Sequence, residues 1–149
     1  MKAMIKQIEG FASQFPNEIL VLVARFAIAS VFWRSAQTKI TGGEFLGQKW
    51  QFYNVSDSTF MLFEYEYALP IIDHQIAAYL ATFAEFSLSL AIIFGLLTRL
   101  SALGLLVMTS VIQFLVYPDA WPTHALWLVP ILYLIKHGGG KISLDNLIK

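Results

Sequence analysis

The sequence predicts an all-α integral membrane protein, built as a four-helix bundle with an aromatic extracytoplasmic loop between helices 1 and 2. Two observations lead to this fold class. Only 13% of the 149 residues are charged, against about 25% in an ordinary soluble domain. Four segments are also apolar over nearly the length of about 20 residues that a spanning helix needs. The chain is therefore predicted to be a single membrane domain over residues 1–149.

Turn and stop signals give the limits of the four spans. The predicted spans cover about residues 19–38, 75–97, 100–117 and 122–137. Prolines mark the breaks: Pro70 precedes the second span, Pro118 ends the third, and Pro122 begins the fourth. Pro130 lies inside the fourth span and is predicted to kink it, which neighbouring helices can accommodate.

The connection from Lys39 to His74 is long and rich in aromatic residues, so it is predicted to be a folded lid. Asp57 or Ser58 is predicted to cap a short helix that runs to about Tyr67. Trp and Tyr favour the membrane–water interface, and the lid is predicted to lie there.

The distribution of Lys and Arg predicts the orientation. One side of the membrane would carry six basic residues and the lid side two. The six are Lys2, Lys6, Arg99, Lys136, Lys141 and Lys149. Since cytoplasmic loops are enriched in Lys and Arg, we expect a multi-pass inner-membrane protein with both termini in the cytoplasm. Residues 1–16 are predicted to form an amphipathic helix at that surface.

Charge balance and cysteine content exclude several functions. Ten basic residues balance ten acidic ones, so no net field attracts nucleic acid, and the expected partner is the lipid bilayer. With no cysteine, the chain has no disulfide, no thiolate nucleophile and no cysteine-ligated metal centre. The residues alone leave open whether the chain is an enzyme.

Three ionisable residues fall within the predicted spans, and each is costly at a helix centre, by about 2.5–3.5 kcal/mol. Arg25 and Arg34 lie nine residues apart and so on opposite faces of one helix. Glu85 shares a stripe with small and hydroxylated residues, which favour helix contacts in lipid. We predict that Arg25 pairs with Glu85. Either Glu85 is a proton-transfer or ligand-binding group in a buried polar site, or the pair only fixes how helices 1 and 2 pack.

Polar and aromatic side chains in the outer half of the bundle are candidates for lining a ligand site. Flat aromatics with a few amides suit a quinone head group, although an aromatic belt explains the same residues. The candidates are Arg34, Gln37, Lys39, Tyr79 and Gln113. Quinone is the cofactor we consider; the residues leave the cofactor unidentified.

Two histidines at predicted outer helix starts, His74 and His124, are weak candidates for metal or haem ligands. The alternative is that both are interfacial residues without a ligand. Glu64 and Glu66 in the loop have two predicted roles. They recognise a partner or bind a metal together with His74, or they belong to a lid that only covers the mouth of the bundle.

The order of several short motifs resembles the DoxX family of small four-helix bacterial membrane proteins. They are Arg25 with the apolar stretch to Gln37-Thr38-Lys39, Ala84-Glu85, the segment from Phe94 to Arg99, and the segment from Gly138 to Asp145. Many relatives have a His-Gly pair where this chain has Ser35-Ala36.

The resemblance implies two functions. The family name derives from a thiosulfate:quinone oxidoreductase, which implies a quinone-linked or electron-transfer-associated subunit of a membrane oxidoreductase system. The loops Phe63–Pro70 and Val116–Pro122 are similar to a subgroup found beside secreted metal-stress peptides. This implies the alternative, a non-catalytic membrane partner or export accessory in metal or oxidative stress, with a periplasmic or membrane partner.

Overall fold

The bundle helices of the computed structural model, which describes residues 4, 6, 10 and 14–148, follow the predicted apolar segments. The amphipathic helix predicted for residues 1–16 falls largely outside the described residues. The elements in chain order are α1 (Asn17–Lys39), β1 (Glu44–Phe45), β2 (Gln48–Lys49), α2 (Asp57–Met61), α3 (His74–Phe94), α4 (Thr98–Val111), α5 (Trp121–His137) and α6 (Leu144–Leu147). Leu62–Tyr67 extends α2 and Ile112–Val116 extends α4, both as π-helix, and a 3₁₀ turn, Pro118–Ala120, precedes α5.

Three of the described helices are long and apolar enough to cross a membrane: α1, α3, and α4 with its π-helical extension. Helix α5 has 17 residues and continues through Pro130. The all-α, multi-pass membrane fold is thus confirmed. Helix α3 ends at Phe94, three residues before the predicted limit, because Gly95 adopts a left-handed conformation with φ 66°.

The four long helices form a closed ring, in which α1 contacts α3 and α5, and α4 contacts α3 and α5. Small residues at the contacts, including Ala29, Ala78 and Ala102, are fully buried. Without a hydrophobic driving force between helices in lipid, such close backbone approach provides the packing energy.

The lid, residues 40–73, folds over one end of this ring. An antiparallel hairpin pairs β1 with β2, and α2 follows with its π-helical extension. The cap of α2 is Ser56, whose hydroxyl accepts from the Thr59 amide at 3.3 Å. The predicted caps Asp57 and Ser58 were wrong because both already lie in the first helical turn, where the backbone no longer has the extended cap conformation.

The latch, residues 138–148, closes the opposite end. Asp145 accepts from the amides of Leu97 and Thr98 at 2.6 and 2.8 Å. These are among the amides at the start of α4 that have no partner within the helix. The latch therefore caps α4 and holds the turn between α3 and α4 in place.

Candidate ligand-binding site

A cavity of about 610 Å³ lies between α3 and α4, beneath the lid. Two of its lining residues, Leu80 on α3 and Val107 on α4, are 57% and 64% exposed, so the cavity opens sideways toward lipid. This volume is within the range of about 300–1,000 Å³ that small-molecule sites occupy.

The cavity walls are mainly aliphatic and aromatic, with a few polar groups. The apolar part includes Ala81, Ala84, Leu88, Met108, Ile112 and Trp127. The polar side chains on the lining are Ser35, Tyr67, Glu85, Tyr117 and His124. Mostly apolar walls with a few placed polar groups are typical of a site for a lipophilic ligand.

Glu85 reaches the cavity from α3 as part of a buried cluster of three side chains. Lys39 Nζ lies 2.9 Å from Glu85 Oε2 and 3.1 Å from Oε1. Ser35 Oγ donates to Glu85 Oε1 at 3.1 Å and accepts from Lys39 Nζ at 2.7 Å. Both charged residues are about 95% buried. A buried carboxylate with a matched cation and satisfied hydrogen bonds is stable where an isolated one would not be.

The predicted Arg25–Glu85 pair is therefore wrong, although both residues are buried as expected. Arg25 donates from Nε to the Ile92 carbonyl at 2.9 Å and from Nη1 to the Gly139 carbonyl at 3.0 Å. It also donates to the carbonyls of Ile93 and Ile142. Arg25 thus joins α1 to α3 and the latch, at the end of the bundle opposite the Lys39 cluster.

His124 and Gln113 form a second polar pair. His124 is 96% buried, and its Nδ1 lies 2.7 Å from Gln113 Oε1. Gln113 Nε2 in turn donates to the Pro118 carbonyl at 2.8 Å. Gln113 therefore supports a lining residue of the cavity, and borders a smaller adjoining cavity together with Trp121 and His124.

The two histidines that were weak candidates for metal ligands have separate surroundings. His74 lies 4.0 Å from Glu64 and 3.8 Å from Asp73, whereas His124 contacts Gln113 and the Trp127 ring. In the part of the chain that the structure describes, no three His, Cys, Asp or Glu side chains are grouped to hold a metal.

None of the five predicted lining residues belongs to the lining of this cavity, which corrects the prediction. Lys39 and Gln113 contact the lining residues Glu85 and His124, whereas Arg34, Gln37 and Tyr79 have other surroundings. Arg34 is exposed, and Tyr79 is 49% exposed and packs on the Phe60 ring. Gln37 bonds the backbone of Lys49 at 2.7 and 3.0 Å, because the hairpin covers that face of α1.

Two π-helical segments meet at the lid end of the cavity. The Ala68 amide donates to the Phe63 carbonyl at 3.1 Å, and the Tyr117 amide donates to the Ile112 carbonyl at 2.8 Å. Each is a bond between residues i and i+5, a pattern that is frequent at functional sites. Phe63 and Tyr67 from the lid, with Ile112 and Tyr117 from α4 and its end, line this end of the cavity.

Glu66 fastens the lid at this point, because its carboxylate accepts from the Tyr117 hydroxyl. The Tyr67 ring also packs edge-on against the Tyr117 ring, with centroids 5.7 Å apart. Burial raises the pKa of Tyr67, so its hydroxyl stays protonated as a donor. Of the two acidic loop residues singled out from the sequence, Glu66 holds the lid and Glu64 faces His74.

Sequence reasoning missed Ser35 and Tyr117 as site residues. A signal for Ser35 existed, since it lies four residues before Lys39 and so on the same helix face. Tyr117 had no such signal, because only the folded lid brings Glu66 to it.

Comparison with known proteins agrees with the resemblance seen in the sequence. A family model described as DoxX matches residues 20–118, which span most of α1, the lid, α3 and α4. A protein of Haemophilus influenzae described as an uncharacterized protein is 30% identical over 139 residues, which cover 88% of this chain and 84% of the relative. No solved structure matches the chain significantly.

Proposed function

The chain belongs to the DoxX family, and from this premise we propose that it binds a lipophilic quinone in the cavity between α3 and α4. In this role it is a quinone-linked subunit of a membrane oxidoreductase system. We place it in the bacterial inner membrane with both termini in the cytoplasm, as the Lys and Arg distribution predicts, so that the lid faces the periplasm.

The observation that carries this proposal is the combination of a lipid-facing apolar cavity with the buried Glu85 at its wall. A ring-shaped head group fits the aromatic and aliphatic walls formed by Phe63, Met108 and Trp127. An isoprenoid tail can leave through the opening beside Leu80 and Val107, where the surrounding solvent is hydrocarbon. A purely structural ion pair would not need a cavity of this volume beside it.

A bound quinone would supply the redox chemistry, since the chain has no cysteine to hold a metal cluster. The protein's own residues bind and orient the head group and exclude water from it. Electrons must then come from a second protein, which makes this chain a subunit of a system.

Lipid extraction of the purified protein tests the proposal. We expect mass spectrometry to find quinone close to one equivalent in the wild type and at least about fivefold less in Ala84→Phe, which fills the cavity. Ala27→Phe is the matched control, because Ala27 is an exposed alanine of α1 outside the cavity. Quinone at equal, low levels in all three proteins would contradict the proposal.

A second function, a non-catalytic partner or export accessory in metal or oxidative stress, is favoured by a different observation. The outer surface of the lid exposes large apolar side chains: Phe45 by 66%, Leu46 by 82% and Tyr65 by 76%. Exposed aromatic patches are typical of binding surfaces. Glu64 is exposed beside Tyr65.

Cross-linking in cells separates the second function from the first. Under the partner hypothesis, a cross-linked partner is lost in Glu64→Gln/Tyr65→Ser, while the extracted quinone stays unchanged. A partner that is retained in this variant would contradict recognition by this part of the lid.

A further inference from the structure

The Lys39–Ser35–Glu85 cluster has used all of its hydrogen-bond donors internally. The three N–H groups of Lys39 have three partners within 3.1 Å, namely Ser35 Oγ and both oxygens of Glu85. The Ser35 hydroxyl donates its only proton to Glu85. The remaining hydrogen-bonding capacity of this cluster is therefore acceptance alone.

Glu85 keeps acceptor sites for a ligand. Its Oε2 receives one bond, from Lys39, whereas a carboxylate offers about four lone-pair sites in total. Since Glu85 lines the cavity, a molecule in the cavity that carries an O–H group can donate to it. A molecule whose only oxygens are carbonyls has no proton to donate, so its oxygens would lie against the carboxylate without a hydrogen bond.

His124, like Glu85, presents a hydrogen-bond acceptor to the cavity. The bond from Gln113 Nε2 to the Pro118 carbonyl fixes the orientation of the Gln113 amide, so its oxygen faces His124 Nδ1. Neutral His124 must then carry its proton on Nδ1, which leaves Nε2 as an acceptor. Nε2 has no hydrogen-bond partner among the described residues.

The remaining donors on the lining do not discriminate between the two redox forms. Tyr117 donates its proton to Glu66, which leaves the Tyr67 hydroxyl and the indole N–H of Trp127 as donors on the lining. A hydroxyl oxygen of the ligand can accept from either of them as well as a carbonyl oxygen can.

We infer that the cavity selects a tailed lipid with a hydroxyl-bearing ring, the hydroquinone form, over the corresponding quinone, and that a ring hydroxyl donates to Glu85. This inference rests on the proposed function and specifies the redox state of its ligand. The geometry that carries it is an apolar cavity whose buried polar walls, at Glu85 and His124, accept hydrogen bonds.

Three probes with one shared decyl tail test the inference on the wild-type protein in lipid nanodiscs: the hydroquinone, the quinone and the hydroquinone dimethyl ether. Calorimetric titration without oxygen gives the three dissociation constants. We expect the hydroquinone to bind at least about tenfold more tightly than the other two, as one bond to a buried carboxylate provides. Equal binding, or tighter binding of the quinone, would overturn the inference and leave the proposed function standing. No binding of any probe would overturn both.

Variants test whether Glu85 causes the preference for the hydroquinone. In Lys39→Met/Glu85→Gln, which removes both charges, we expect the tenfold preference to fall below about threefold, because the amide at position 85 both donates and accepts. Arg34→Gln, an exposed change on the same helix, should keep it. A preference that persists in the double variant would overturn the role of Glu85. If that variant does not fold, His124→Phe tests the other acceptor, and the probe series on the wild type still decides the inference.

Discussion

Lys39 Nζ lies 2.9 Å from Glu85 Oε2 and ties the lid end of α1 to the middle of α3. The backbone of the same lysine holds the lid, since its carbonyl accepts from the Ser56 amide at 2.9 Å and the Thr59 hydroxyl at 3.0 Å. One residue thus fixes both the carboxylate at the cavity wall and the start of the segment that covers the cavity.

Lys39 and Glu85 are predicted to be energetically coupled. Removing one charge leaves the other buried without a partner, so Glu85→Gln or Lys39→Met should each lower the free energy of unfolding by about 3–5 kcal/mol. Lys39→Met/Glu85→Gln should recover at least about 2 kcal/mol relative to the sum of the two. Reversible unfolding in mixed micelles measures the cycle. The same cycle with Arg25→Gln in place of Lys39→Met should be additive, and coupling found there instead would refute the pairing.

The position of the latch predicts that a methyl group at Gly95 destabilises the protein. A Cβ there would lie 2.5 Å from the Ser143 Cβ and 3.0 Å from the Arg25 guanidinium. Gly47→Ala is the matched control, because Gly47 has nearly the same φ, 69° against 66°, with no atom within 4 Å of its Cβ position. Both variants have the cost of a positive φ, about 1 kcal/mol. We expect Gly95→Ala to lower the free energy of unfolding by about 2 kcal/mol more than Gly47→Ala does. Equal losses in the two variants would show that the latch does not pack on Gly95.

The lid bond, which is the hydrogen bond from the Tyr117 hydroxyl to Glu66, predicts faster ligand exchange in Tyr117→Phe. Without its hydroxyl, Tyr117 no longer holds Glu66, so the wall that the lid contributes to the cavity should be held less firmly. The bound hydroquinone should then dissociate through the lateral opening at least about threefold faster. Tyr65→Phe changes an exposed hydroxyl of the same lid and should dissociate at the wild-type rate. Stopped-flow displacement gives both rates. Identical rates for the two variants would mean that the lid bond does not control exchange.

The lid is predicted to lie on the periplasmic side of the inner membrane. Single cysteines can be introduced without removing others, because the chain has none. An impermeant maleimide added to spheroplasts should label Asn54→Cys and Asp119→Cys and leave Lys141→Cys and Leu147→Cys unlabelled until lysis. All four positions are exposed. Labelling of the latch positions alone would reverse the topology.

The helices could be read from the sequence because hydropathy and prolines act locally. The partners of the buried charges could not. Lys39 and Arg25 lie on one stripe of α1, 14 residues or about 21 Å apart, so helical phase allowed either to face Glu85. Tertiary contacts determine which of the two faces Glu85. The lid covers Lys39, which the sequence had placed in the loop. Carbonyls of α3 and the latch surround Arg25. The cavity itself is lined jointly by α3, α4 and the lid, a relation that no single segment encodes.

Photoaffinity mapping tests the central claim, a quinone-class ligand between α3 and α4, most directly. A decyl-tailed hydroquinone that carries a photoreactive group on the ring is bound to the wild type, irradiated and located by peptide mass spectrometry. The account predicts labels on cavity residues such as Ala84, Leu88 and Met108, reduced by an excess of the unmodified hydroquinone and absent in Ala84→Phe. Labels that lie on the exposed faces of α1 and α5, and that do not change with competitor, would contradict it.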